Sequence, residues 1–184
     1  MQKILVAAFA VALFSCNNEE KKEGDTVAAA PATAELSSSA PYKATYSSKF
    51  EMGDIKHAET ILALWKDWDN GNLTPSANVF ADSIFIYTRD GSRIEGLKDS
   101  VNAGAQAYRD MFASVTSTVH AIFPIKSTDK DENWVCIWGT EVSTDKKGKT
   151  DSVVLHETWR FTKDGKVDMV LQYGRALLPR PATK

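Results

Sequence analysis

The chain has 184 residues, 43% of them hydrophobic and 25% charged, with a formal net charge of -2. That length suits one domain with a real core. A near-neutral balance without a basic face excludes an electrostatic case for nucleic acid as a partner.

In chain order, the opening "MQKILVAAFAVALFSC" carries Lys3, an apolar run from Ile4 to Phe14, and then Ser15-Cys16. The run is too short to span a membrane and has the shape of a secretory h-region. Leu13-Phe14-Ser15-Cys16 resembles a bacterial lipobox, in which the cysteine is lipidated and becomes the new N-terminus. Residues 1–16 are therefore expected to be a lipoprotein signal peptide, with Cys16 the lipidation site and the membrane a partner through its acyl chains. This expectation places the protein in the cell envelope, lipid-anchored on the outer membrane. A general signal peptide with an incidental cysteine is the alternative.

Residues 17–49 are rich in Ala, Ser, Thr, Pro and charge and poor in large apolar side chains. They read as a disordered tether. The folded domain is expected over residues 50–184.

Asp54 is a candidate N-cap for a first helix, with Ile55, Ala58, Leu62 and Trp65 at helical spacing and Gly71 as its stop. "TPSANVFADS" predicts a short second helix opening at Pro75, and Asp82 at its end reads as a turn brace. "IFIYT", Ile84 to Thr88, predicts a strand, turned by "RDGS" onto a short partner "RIEG". A third helix is predicted from Leu97 to Ser117. Four strands follow: "TVHAIFPIKS", "NWVCIWGTEVST", "DSVVLHETWRFTK" and "KVDMVLQYGRAL", separated by turn-forming segments. Helices followed by a meander predict an α+β domain with an antiparallel sheet on about three N-terminal helices.

Within the third of these strands, Glu157 falls on the alternate set Val153, Leu155, Trp159 and Phe161, whose other members are apolar. A carboxylate there either lines a pocket or is a buried acid satisfied by neighbours. Cys136, inside "NWVCIWG", reads as a small buried hydrophobe. His57, His120 and His156 have no metal-ligand spacing, so neither a metal nor another cofactor is expected. On the last strand alternation marks Val167, Met169, Leu171 and Tyr173 as the buried set and puts Val170 and Gln172 on the other face.

Three ordered patterns, "WDNGNL", "FADSIFIYTRDGSRIEGLKDSV" and "ETWRFTKDGKV", resemble the nuclear transport factor 2-like superfamily, nearest its SnoaL-like polyketide cyclase and ketosteroid isomerase branches. The resemblance covers roughly residues 55–178. It implies a curved sheet wrapped on the helices into a cone, with an apolar pocket at the wide end, and a second copy as a candidate partner. It also implies that Glu157 stands where the isomerases keep a protonated acid as hydrogen-bond donor, which makes Glu157 the candidate catalytic residue. The isomerases' base position falls at Thr88 and their phenol donor at Leu64, and neither residue can serve. Tyr87, His120, Trp138, Trp159 and Gln172 join Glu157 as candidate pocket residues. The expected function is binding of a small apolar molecule without catalysis, and acid–base chemistry of the cyclase or isomerase type is the alternative. A sheet face that docks another protein is a third.

Overall fold

A computed structural model describes residues 34–177 of the chain. The expected signal peptide, the lipidation site Cys16 and the first part of the expected tether lie outside the described residues. Strands β1 (Ala34–Glu35) and β2 (Lys49–Met52) come first, followed by helix α1 (Ile55–Asn70). A 3-10 turn at Ala77–Val79 leads into β3 (Phe80–Tyr87) and β4 (Arg93–Leu97). Helix α2 (Lys98–Arg109) follows, and then β5 (Phe112–Ser127), β6 (Glu132–Asp145), β7 (Thr150–Phe161) and β8 (Val167–Ala176).

All the strands join one sheet in the order β1-β2-β5-β6-β7-β8-β3-β4. Its two ends are different edge strands, so the expected cone is corrected to an open sheet. Nor is the sheet wholly antiparallel, because β3 pairs with β8 in parallel through Phe85–Met169, Ile86–Val170 and Tyr87–Leu171. About three N-terminal helices become two α-helices among the described residues, α1 between β2 and β3 and α2 between β4 and β5. The segment opened by Pro75 is only a 3-10 turn, and the helix expected to reach Ser117 stops at Arg109. Phe112 and Val115, which fit a helical stripe, belong instead to β5. Part of the expected tether also pairs in the sheet, with Ala34 opposite Phe50 and Glu35 opposite Lys49.

Helix α1 forms where the spacing requires it. Asp54 caps it by accepting from the Lys56 N–H at 2.9 Å, and Gly71 ends it with φ of 78°, a conformation that glycine adopts without a Cβ penalty. Its buried stripe, Ala58, Ile61, Leu64 and Trp65, packs on Val135, Ile137, Leu155, Trp159 and Phe161 of the sheet. Burying each of the leucine, isoleucine, valine and phenylalanine side chains contributes on the order of 1.5–3 kcal/mol. This interlayer is the core, and it holds the carboxylate of Glu157.

Candidate functional site

Alternation along the strands decides which side chains face α1. On β7, Leu155, Glu157, Trp159 and Phe161 are buried while His156 is exposed. Residues opposite each other in the ladder share a face, so Ile137 and Gln172, the partners of Glu157, join it on the helix side. Glu157 is only 3% exposed. Its Oε2 accepts from Trp65 Nε1 at 2.8 Å and Trp159 Nε1 at 3.1 Å, and its Oε1 accepts from Gln172 Nε2 at 2.7 Å. Every one of these donors is uncharged. Burial accordingly raises the Glu157 pKa, the three N–H donors pull it back down, and the neighbouring charge of Glu141 pushes it up again.

A second carboxylate repeats the arrangement. Trp68, one turn beyond Trp65 on α1, donates from Nε1 to Glu141 Oε2 at 2.8 Å. Glu141 is partly buried, and desolvation again raises its pKa, opposed by the Trp68 hydrogen bond and by the charges of Arg89 and Arg109. Gly139 lies between the two on β6. A Cβ there would strike the Thr118 carbonyl oxygen and come within 3.1 Å of Trp65 Cζ3, so this glycine permits the indole to lie against the sheet. Opposite it, the β5–β6 register shifts between Val119 and Ala121, leaving His120 unpaired in the ladder.

The far end of α1 is held by charge. Buried Arg109 donates from Nε to the Trp68 carbonyl at 2.5 Å, from Nη2 to the Asp69 carbonyl at 3.0 Å and from Nη1 to the Phe112 carbonyl at 3.2 Å. A cation on the exposed carbonyls of a helix C-terminus is favourably placed. The Asp69 carboxylate receives the backbone N–H of Ser117 at 3.1 Å and its hydroxyl at 2.8 Å, tying α1 to β5.

An opening lies where β3 leaves β8. Their parallel pairing ends at Tyr87 and Leu171, and the chain then turns through Thr88 to Ser92. In that turn Asp90 accepts from the Thr88 hydroxyl and the Ser92 N–H, which hold its carboxyl down at about 2. The departure leaves a groove of about 350 Å³, with a mostly apolar lining that includes Tyr87, Thr88, Arg89, Leu171, Gln172 and Tyr173. Arg89 crosses Gly174, where a Cβ would come 3.0 Å from Arg89 Cδ. Beyond Arg89, a smaller cleft of about 200 Å³ reaches Tyr108, Phe112 and Ser143. Gln172 therefore touches the buried carboxylate on one side and the groove on the other.

The structure places the expected site residues in three locations. Tyr87 and Gln172 line the groove. Glu157 and Trp159 are buried behind it, Trp159 also packing near Phe80 at 6.5 Å between ring centroids. Trp138 and His120 lie away from both. Trp138 stands on the opposite face of the sheet, between Phe123 at 5.7 Å and exposed His156 at 5.6 Å. His120 is exposed, its Nε2 lying 3.4 Å from the Thr140 hydroxyl. Thr88 serves the turn and Leu64 the core. Sequence reasoning missed Arg89, Arg109, Glu141 and the acceptor roles facing Trp65 and Trp68. One signal was available: two indoles three apart on a buried stripe each need an acceptor. Among the described residues, no group of three or more His, Cys, Asp and Glu side chains comes within range to hold a metal ion.

No family model matches the sequence, and no curated protein matches it either. Solved structures do. A putative SnoaL-like polyketide cyclase from Shewanella denitrificans superposes with a TM-score of 0.54 at 11% identity, covering 66% of this chain and 92% of its own. AusH from Aspergillus nidulans gives 0.54 at 12%, covering 70% and 90%, and an NTF2-like protein of unknown function from Exiguobacterium gives 0.52 at 12%, covering 63% and 98%. The protein has the nuclear transport factor 2-like fold. At these identities the likeness is one of fold, and a nuclear transport factor 2-like sheet can carry many different sites.

Proposed function

We propose that this nuclear transport factor 2-like domain takes a small molecule into the groove and acts on it by acid–base chemistry of the cyclase or isomerase type. One observation carries the reading: Gln172 joins the groove to a fully buried carboxylate. A glutamine amide has two N–H donors. Glu157 takes one and fixes the plane of the amide, which leaves the other for an oxygen in the groove. A donor held in place before charge develops is the arrangement that stabilises an enolate oxygen. Glu157 is then a positioning residue, acting through Gln172. Glu141, partly buried and in the field of Arg89, is in its ionised form the proton acceptor of this reading, acting through a water because it does not itself line the groove. The polyketide cyclase assignment carried by a solved structure of this fold supports the same reaction class.

The test is hydrogen exchange α to the carbonyl in a panel of β-keto acids and ketones, followed by proton NMR in D2O. Enolisation is the step that cyclases and isomerases share. The wild type is expected to catalyse exchange, and Glu141→Gln to lower it by about 100-fold or more, the usual contribution of a positioned base. Binding without any exchange would overturn the chemistry and leave a second reading, a carrier of small molecules. That reading is favoured by the groove lining, which offers no carboxylate or histidine of its own.

We also propose, from the sequence of residues 1–16, that the domain is exported and anchored through Cys16 at the cell envelope. Labelling with a radioactive fatty acid, lost in Cys16→Ala, is the expected outcome.

A further inference from the structure

We propose that Arg89 makes the groove selective for small molecules bearing a carboxylate; the inference rests on the reading of the groove as the ligand site. Among the described residues, Arg89 takes part in none of the ion pairs and none of the side-chain hydrogen bonds. Arg89 is an exposed residue, but its stem has a defined path. The stem lies over Gly174 with Val153 beside it, and the residue borders both the groove and the smaller cleft. Gly174 leaves room for this path, since a Cβ there would come 3.0 Å from Arg89 Cδ and 3.3 Å from Arg89 Cβ and the stem would have to give by a few tenths of an ångström.

The acids near Arg89 have other partners. Asp90 is held by the Thr88 hydroxyl and the Ser92 N–H. Asp145 accepts from the backbone N–H groups of Lys147 and Lys149 at 2.8 and 2.9 Å, and Asp151 from that of Ser152 at 2.8 Å. Glu141 accepts from the Trp68 indole and lies within electrostatic reach of Arg89 without a hydrogen bond to it. The arginine is left as an exposed cation with five N–H donors at the edge of a mostly apolar groove. Guanidinium matches a carboxylate through two parallel hydrogen bonds, a geometry that a neutral amide or alcohol cannot reproduce. Tyr87, Leu171 and Tyr173 would flank the apolar body of such a ligand, and Gln172 would reach a second oxygen.

The experiment titrates the full chain with benzoate and with benzamide, reading the Arg89 Nε–H and the Gln172 side-chain amide by two-dimensional NMR. Benzoate is expected to shift both signals and to bind roughly tenfold or more tightly than benzamide, the scale of a charge-assisted hydrogen bond. Arg89→Gln should erase that preference, and Arg89→Lys should keep part of it. Equal shifts by the two probes, or a preference that survives Arg89→Gln, would overturn the selectivity while leaving the groove as the ligand site. If neither probe moves these signals, the groove reading fails and the selectivity with it.

Discussion

The two tryptophan–carboxylate pairs beneath α1 use the same hydrogen bond in different surroundings. Trp65 and Glu157 are sealed, and Glu157 has three uncharged donors and no cation. Trp68 and Glu141 are only partly buried, with one donor and two arginines within electrostatic reach. Burial turns the first carboxylate into a fixed part of the interlayer that can act only through Gln172. Partial exposure leaves the second able to exchange a proton. The same indole–carboxylate contact is therefore sealed at one end of the helix stripe and partly exposed at the other.

Removing the indoles should separate the pairs most sharply. Trp65→Ala opens a cavity in the core and removes a donor from Glu157, so a loss of about 3–5 kcal/mol is expected by denaturant unfolding. Trp68→Ala, at a half-buried site, should cost visibly less. Equal losses would contradict the comparison. Next in size, Glu157→Leu strands two buried indole N–H groups at about 1–3 kcal/mol each, with the Gln172 amide left to the groove, whereas Glu141→Leu strands one part-buried indole N–H. Glu157→Gln should be far milder than Glu157→Leu. The new amide oxygen can accept from both indoles, and its NH2 can donate to the Gln172 carbonyl once that amide rotates.

The pH dependence is a smaller effect, and its sign follows from the raised pKa. A buried acid with a raised pKa holds its proton more tightly in the folded protein than in the unfolded chain. Its contribution is fully present below the unfolded value of about 4.3 and is lost as pH rises through the folded value. Stability of the wild type should therefore carry a falling component above about pH 4.3, and Glu157→Gln should remove it. A component of unchanged slope in the variant would assign the loss to Glu141 instead.

Much of the scaffold was legible because it depends on local patterns. Asp54, the apolar stripe of α1 and Gly71 mark that helix from cap to cap, and the last strands follow from alternation and turn chemistry. The expected third helix ran too far because Phe112 and Val115 keep helical spacing after Arg109. The chain leaves the helix there, and the Arg109 side chain turns to carbonyls of α1, a tertiary contact without a local signature. Alternation alone misplaced the buried set on β8. A register shift between Arg160 and Phe161 places both Val167 and Val170 in the core. The acid at Glu157 stood out because it interrupts an apolar set. Arg89 did not, because a turn arginine gains meaning only from Gly174, more than eighty residues later in the chain.

The most direct test follows the two side-chain N–H signals of Gln172 by NMR in the wild type and in Glu157→Gln, each with and without benzoate. Two well-separated signals are expected in the wild type, one held by Glu157 and the other moved by the ligand, with their separation collapsing in Glu157→Gln. Signals that ignore both the Glu157 substitution and a ligand shown to occupy the groove would contradict the link between the buried carboxylate and the site.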